Sequence, residues 1–132
     1  ENLVFSCAVQ AVCNMAGPCD LTVAAELDRT KFATLVECSE WLVGGGPAHE
    51  KRDALRVASP IHHITGEEPP FFTVFGEKDD VVPADQGRML HDALQKAGAD
   101  STLLITPNDG HGVESFDFED AWRFFHGVLG EQ

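Results

Sequence analysis

Two short polar stretches carry the residues best suited to chemistry: "GEKDD", Gly76 to Asp80, and "NDGHG", Asn108 to Gly112. Each follows a strand-like apolar run, "FFTVF" and "STLLIT". An imidazole with one nitrogen held by a buried carboxylate has a fixed tautomer, and the imidazolium formed when its other nitrogen takes a proton is stabilised. Asp79 or Asp80 beside His111 would therefore supply two of the three parts of a catalytic triad. The same residues also have an ordinary use, since acids and glycines after strands form turns and loop histidines are commonly solvated.

The third part is harder to find. Ser6, Ser39, Ser59, Ser101 and Ser115 are the serines, and none stands on a G-x-S-x-G turn of the kind that exposes a nucleophile. Ser6 and Cys7, in "VFSCAV", sit among bulky residues without the glycines such a turn needs. His62 and His63 are adjacent, and on an extended segment their rings diverge, so a structural or surface role is expected and not metal ligation. A receiver-like Mg²⁺ site on Glu77, Asp79 and Asp80 would use the acidic cluster but leaves "DGHG" unexplained. Cys7, Cys13, Cys19 and Cys38 form no C-x-x-C pair and read as small buried hydrophobes, with one disulfide as the competing case. No metal and no organic cofactor is expected.

The elements that must position Asp79 and His111 follow from periodicity. Phe71 to Phe75 is apolar on both alternations apart from Thr73, as in a parallel strand covered on two faces. Met89, Leu90, Ala93, Leu94 and Ala97 recur at helical spacing up to Gly98, a natural C-terminal cap. Ser101 to Pro107 predicts the next strand, and Ala121, Trp122, Phe125, Val128 and Leu129 the apolar stripe of a last helix. Near the start, Ala8 to Asn14 reads as a short buried strand ending at Gly17-Pro18. Between lie a helix over Ala33 to Leu42, the "VGGGP" run, a weak helix over Glu50 to Val57 and the aperiodic "ASPIHHITGEEPP". Alternating strands and helices imply parallel crossovers, and in such a sheet the loops at the carboxyl ends of the strands share one edge. That places both polar loops together.

Size and charge narrow the partners. A chain of 132 residues, 43% hydrophobic, is enough for one domain with a real core. Its formal charge of −13 is spread along the sequence, which argues against nucleic acid or an anionic membrane surface. No apolar run approaches the length needed to span a bilayer.

In four ordered blocks the sequence resembles the C-terminal half of an α/β-hydrolase of the esterase/lipase type, close to the BD-FAE and acetyl-esterase-like group and more distantly related to prolyl-oligopeptidase-like hydrolases. The blocks are "VQAVCNMAGPCDLT", "LVGGGP…ASPIHHIT", "PPFFTVFGEKDDVVPADQGRMLHDALQKAGAD" and "DGHG". The combination of G-x-x-D, V-V-P and a later G-H-G is the specific part. Carried over by position, the resemblance puts the triad aspartate on Asp79 and the triad histidine on His111. Asp80 falls where relatives carry a turn residue, which implies a solvent-facing neighbour.

The resemblance also implies a fold class: a partial α/β-hydrolase fold, parallel strands with flanking helices, lacking the N-terminal half of the sheet. Residues 1–132 would be the C-terminal part of one domain, with 22–68 a connecting, lid-like segment. The first strand would correspond to the one after the nucleophile elbow. The implied activity is that of a serine-type carboxylic-ester hydrolase whose nucleophile lies outside the chain, so that the chain alone is inactive. A prolyl-oligopeptidase-like peptidase fragment, or a non-catalytic binding or assembly module of hydrolase shape, are the alternatives. Expected partners are a small-molecule ester in the complete enzyme and the N-terminal half of the domain, or self-association through the exposed strand edge.

Remaining residues have plainer expectations. His49 and His91 read as solvent-facing, and His126 lies on the last helix without an evident partner. Trp41 and Trp122 read as packing residues, Asp20 as a turn or N-cap residue, and Asp85 as a residue serving the helix that begins near Pro83.

Overall fold

The computed structural model describes residue 6 and residues 8–130, so the expectations for Cys7 lie outside the described residues. Three strands form one sheet in the order β1-β2-β3: β1 Val12–Met15, β2 Phe71–Gly76 and β3 Ser101–Thr106. Both pairings are parallel, with Val12 opposite Phe71 and Phe71 opposite Ser101. All three strands therefore end on one edge.

Four α-helices accompany them: α1 Ala33–Leu42, α2 Arg52–Ala58, α3 Asp85–Ala97 and α4 Phe118–Leu129. Shorter 3₁₀ turns occupy Leu21–Ala25, Ala48–Glu50 and Pro60–His63. Helix α3 forms because Leu90 and Leu94 recur on one buried face, and it stops at Gly98, whose φ of 90° lets its N–H reach back to the Gln95 carbonyl. Asp117 caps α4 by accepting from the Glu119 N–H, and Glu119 and Asp120 in the first turn suit the positive end of the helix dipole.

Side chains of β2 alternate between two cores. Phe72 and Val74 pack with Val113, Phe116 and Ala121, the last on α4. Phe75 points the other way, into a cluster with Leu21, Leu35, Val36, Leu55, Val82 and Ala84. Thus the 3₁₀ turn Leu21–Ala25, α1 and α2, from the segment between β1 and β2, pack onto the turn that follows β2. Burying a side chain such as Leu55 contributes about 1.5–3 kcal/mol.

Several expectations need correction. β1 starts at Val12 and not at Ala8, because β2 starts at Phe71 and the residues before Val12 have no register partner there. The weak second helix is Arg52–Ala58, and His62 and His63 lie on a 3₁₀ turn, not an extended stretch. Asp85 does serve α3, from its first turn, with its carboxylate 3.1 Å from Arg88, while Ala84 holds the cap position. Trp41 and Trp122 do not pack inward, being 74% and 61% exposed. Helix α1 turns Leu35, Val36 and Ser39 to the core, which leaves position 41 on its outer side. On α4 only Ala121 of the expected stripe is buried, with Phe124 packed beside it.

The cysteines divide. Cys13, Cys19 and Cys38 are free thiols; Cys19 is buried as expected, and Cys38 is exposed, contrary to expectation. Burial pushes the Cys19 thiol up to about 12, with the neighbouring Asp20 charge adding to it, so it is an inert core group.

Candidate active site

Gly76 ends β2 and starts the turn that brings Asp79 back under the strand, with the Asp79 N–H 3.2 Å from the Gly76 carbonyl. A Cβ on Gly76 would collide with the backbone carbonyl oxygens of Asp109 and Gly110. The two loops are this close because they bond to each other: the Glu77 N–H donates to the Thr106 carbonyl and the Lys78 N–H to the Asp109 carbonyl, both at 2.9 Å. A glycine at the end of a strand thus marks a close approach of two backbones.

Asp79 is buried, and its side chain has no solvent exposure. Its Oδ1 accepts from the Val81 and Val82 N–H groups at 2.8 Å each, and its Oδ2 lies 2.9 Å from His111 Nδ1. A carboxylate can only accept, so the facing ring nitrogen carries the proton and Nε2 is left as an acceptor. His111 is partly open, its side chain 45% exposed, and Nε2 has no protein partner among the described residues. One turn therefore fills the lone pairs of a buried acid, and the acid holds a histidine whose other nitrogen faces outward.

The histidine loop is closed by a second acid. Asp109 is buried and accepts from the Ser115 N–H at 2.9 Å and the Ser115 hydroxyl at 2.7 Å; the Ser115 hydroxyl bond is the main cause of its lowered pKa. Val113, buried two positions past His111, has φ of 45°, in the left-handed region that a β-branched residue avoids. Such a conformation costs on the order of 1–3 kcal/mol and persists only where its surroundings hold it.

The other candidate residues separate from this pair. Asp80 is exposed beside it, as expected. Asp20 caps the 3₁₀ turn by accepting from the Thr22 N–H at 2.9 Å, and His62 lies 3.8 Å from its carboxylate. His63 Nε2 is 2.7 Å from the Val57 carbonyl. His91 departs from its solvent-facing expectation: its Nδ1 meets the buried Ser101 hydroxyl at 3.0 Å, because α3 lays that position against the start of β3. Among the described residues no three His, Cys, Asp or Glu side chains converge as a metal would require, and no helix is long and apolar enough to cross a membrane.

Gln86 is not singled out by its sequence context, yet it is buried and joins two loops. Its Oε1 accepts from the Cys19 and Asp20 N–H groups at 2.9 and 2.8 Å, and its Nε2 donates to the Asp20 carbonyl at 3.2 Å. It ties the segment after β1 to the helix after Asp79. Nothing in a glutamine near the start of an amphipathic stretch signals that use.

The BD-FAE family model matches residues 2–94, well over half of the chain. The chain belongs to the BD-FAE family. Esterase LipQ of Mycobacterium tuberculosis is 37% identical to it over 108 residues, covering 81% of this chain and 25% of LipQ. Esterase LipC of the same organism is 29% identical over 111 residues, covering 83% of this chain and 27% of LipC. The chain thus spans about a quarter of the length of these curated relatives. Among solved structures, a truncated carbohydrate esterase from gut microbiota superposes with a TM-score of 0.86 at 28% identity, over 99% of this chain and 46% of that one. A bifunctional GH43-CE protein of Bacteroides eggerthii gives 0.80 at 32% identity, over 97% and 16%. Like these structural neighbours the chain has an α/β-hydrolase fold, here a partial one of three parallel strands with flanking helices.

Proposed function

We propose that this BD-FAE chain is the C-terminal portion of a serine-type carboxylic-ester hydrolase, and that Asp79 and His111 are the acid and base of its triad. The observation that carries this reading is the 2.9 Å contact between a fully buried carboxylate and a histidine with an open Nε2. In the complete enzyme His111 Nε2 takes the proton of a serine hydroxyl as that oxygen attacks the ester carbonyl, and then returns it to the departing alkoxide. The acyl group stays on the serine until water, deprotonated by the same nitrogen, releases the acid. Asp79 keeps the ring in the tautomer this needs.

Neither nucleophile nor oxyanion donors are identified among the described residues facing His111, so the chain alone should be inactive, the loss of both costing many orders of magnitude in rate. Its surfaces support the view that more polypeptide covers it, with residues 22–68 as a lid-like connection. The outer edge of β1 pairs with no strand among the described residues. On α4, Phe118, Trp122, Val128 and Leu129 are exposed. A groove of about 410 Å³ runs beside β1, lined by Val12, Cys13, Phe71, Leu90 and Leu94 among others, and neither Asp79 nor His111 borders it. The preceding half of the domain, or a second copy through the β1 edge, would cover such surfaces.

The test is hydrolysis of short-chain p-nitrophenyl esters by the complete protein, with His111→Ala beside it. Loss of turnover in the variant is expected; undiminished turnover would refute the assignment. A peptidase reading draws on an acylamino-acid-releasing enzyme of Arabidopsis thaliana, 29% identical over 86% of this chain. Preference for blocked peptides over esters in the same assay would favour it.

A further inference from the structure

His111 does little to hold itself in place. Its ring is half open, its neighbour Gly112 is exposed, and its one side-chain bond is to Asp79. The nearest side chain that fixes the loop on the C-terminal side is Val113, buried in the cluster of Phe72, Val74, Phe116 and Ala121. That cluster lies on the opposite face of β2 from the one holding Val82, whose N–H bonds to Asp79. Acid and base are thus each followed, within three residues, by a valine sunk in a different core.

Val113 pays for its place in backbone conformation, with φ of 45°. A residue free to leave the cluster would relax out of the left-handed region. Around it the Val113 N–H reaches the Gly110 carbonyl at 3.3 Å, the Phe116 N–H donates to the Val113 carbonyl at 2.9 Å, and Asp109 closes the loop on Ser115. Beside the Asp109–Ser115 bonds, burial of the isopropyl group holds Val113 in its strained conformation, and the turn sets where His111 stands.

We propose that Val113 is a positioning residue for His111: its side chain, locked between β2 and α4, forces the left-handed turn that presents the imidazole to Asp79 before any nucleophile is present. Although the importance of the pair rests on the functional reading above, the positioning itself is a property of this chain and can be measured in it.

The readout is the tautomer of His111, from the ¹⁵N shifts of its ring in the 132-residue chain, at a pH well above the ordinary imidazole range. A free imidazole favours the Nε2–H form, whereas a ring on Asp79 holds the Nδ1–H form. The parent chain should show Nδ1–H. Val113→Ala should shift His111 toward the Nε2–H form, and Val113→Ile should restore Nδ1–H. Val113→Gly accepts the left-handed turn at no steric cost, so it should remain folded and still show the shift, because the anchor is gone. Leu94→Ala, in the separate cluster of Cys19, Leu90 and Ala99, should lower Tm without moving the His111 signals. Folded Val113→Ala or Val113→Gly with an unchanged Nδ1–H ring would overturn the proposal, as would an equal shift in Leu94→Ala. Failure of the complete protein to cleave esters while these shifts behave as described would count against the hydrolase reading and not against Val113.

Discussion

Gly76, the last residue of β2, lies so close to the Gly110 carbonyl that no side chain fits between them. This contact is where the loop bearing Asp79 meets the loop bearing His111, and it is made of backbone on both sides. The G of G-x-x-D is thereby a packing requirement of the histidine loop as much as of its own turn.

Gly76→Ala should separate the two loops. Backbone cannot swing aside as a flexible side chain does, so the substitution should cost about 1–3 kcal/mol of stability, typical of overpacking. Urea denaturation would measure the loss. A fully stable variant that keeps the His111–Asp79 bond would disprove the close approach.

Asp79→Asn separates orientation from folding. The amide oxygen can still accept from Val81 and Val82, which should keep the turn, but the NH₂ group would then face His111 Nδ1. Nδ1 must become the acceptor, the proton moves to Nε2, and the base is lost. Ester hydrolysis by the complete protein should fall about 10³–10⁴-fold with Tm little changed; a loss below about tenfold would remove Asp79 from the triad.

Gln86→Leu should leave the Cys19 and Asp20 N–H groups buried without acceptors. Each unsatisfied group costs about 1–3 kcal/mol, so a total of about 2–6 kcal/mol is expected from chemical denaturation. A near-neutral result would mean that water reaches those amides.

Acid stability should depend on Glu40. Its carboxylate receives both arms of Arg29, at 2.7 and 2.8 Å, and the Ala48 N–H at 3.0 Å. The Arg29 bonds, with the Ala48 N–H next, lower its pKa from 4.5 to about 2. The folded carboxyl gives up its proton more readily than the unfolded one, so its contribution is complete above about pH 4.5 and is lost as pH falls toward 2. Unfolding free energy measured across that window should decline less steeply in Glu40→Gln. Identical slopes would show that the clamp does not stabilise the fold.

Much of the fold is readable in the sequence where one signal dominates. β2 follows from a run apolar on both alternations apart from Thr73, and α3 from apolar residues at helical spacing up to Gly98, and their expected limits hold closely. β1 is harder to bound because Ala8, Val9 and Ala11 extend its apolar run toward the N-terminus, while pairing depends on where a distant strand begins. Asp79 and Asp80 cannot be ranked by spacing alone; the resemblance favours Asp79, and the bond from His111 reaches that residue. Trp41 and Trp122 mislead because a large apolar side chain at helical spacing does not say which face another chain segment covers. Gln86, His91 and Val113 act through partners that only the folded backbone supplies.

Asp79 and His111 lie within one strand-helix-strand stretch and its loops, but the valines that anchor those loops pack in clusters with Leu21, Leu35 and Ala121, outside it. Pairing β2 with β3 in parallel and packing Val82 into a cluster with Leu21 and Leu35 are contacts distant in sequence, so the bond should form late in folding, with most of the chain in place. A piece cut out at residues 71 and 116 would therefore lose the partners of both anchoring valines and should not hold His111 on Asp79.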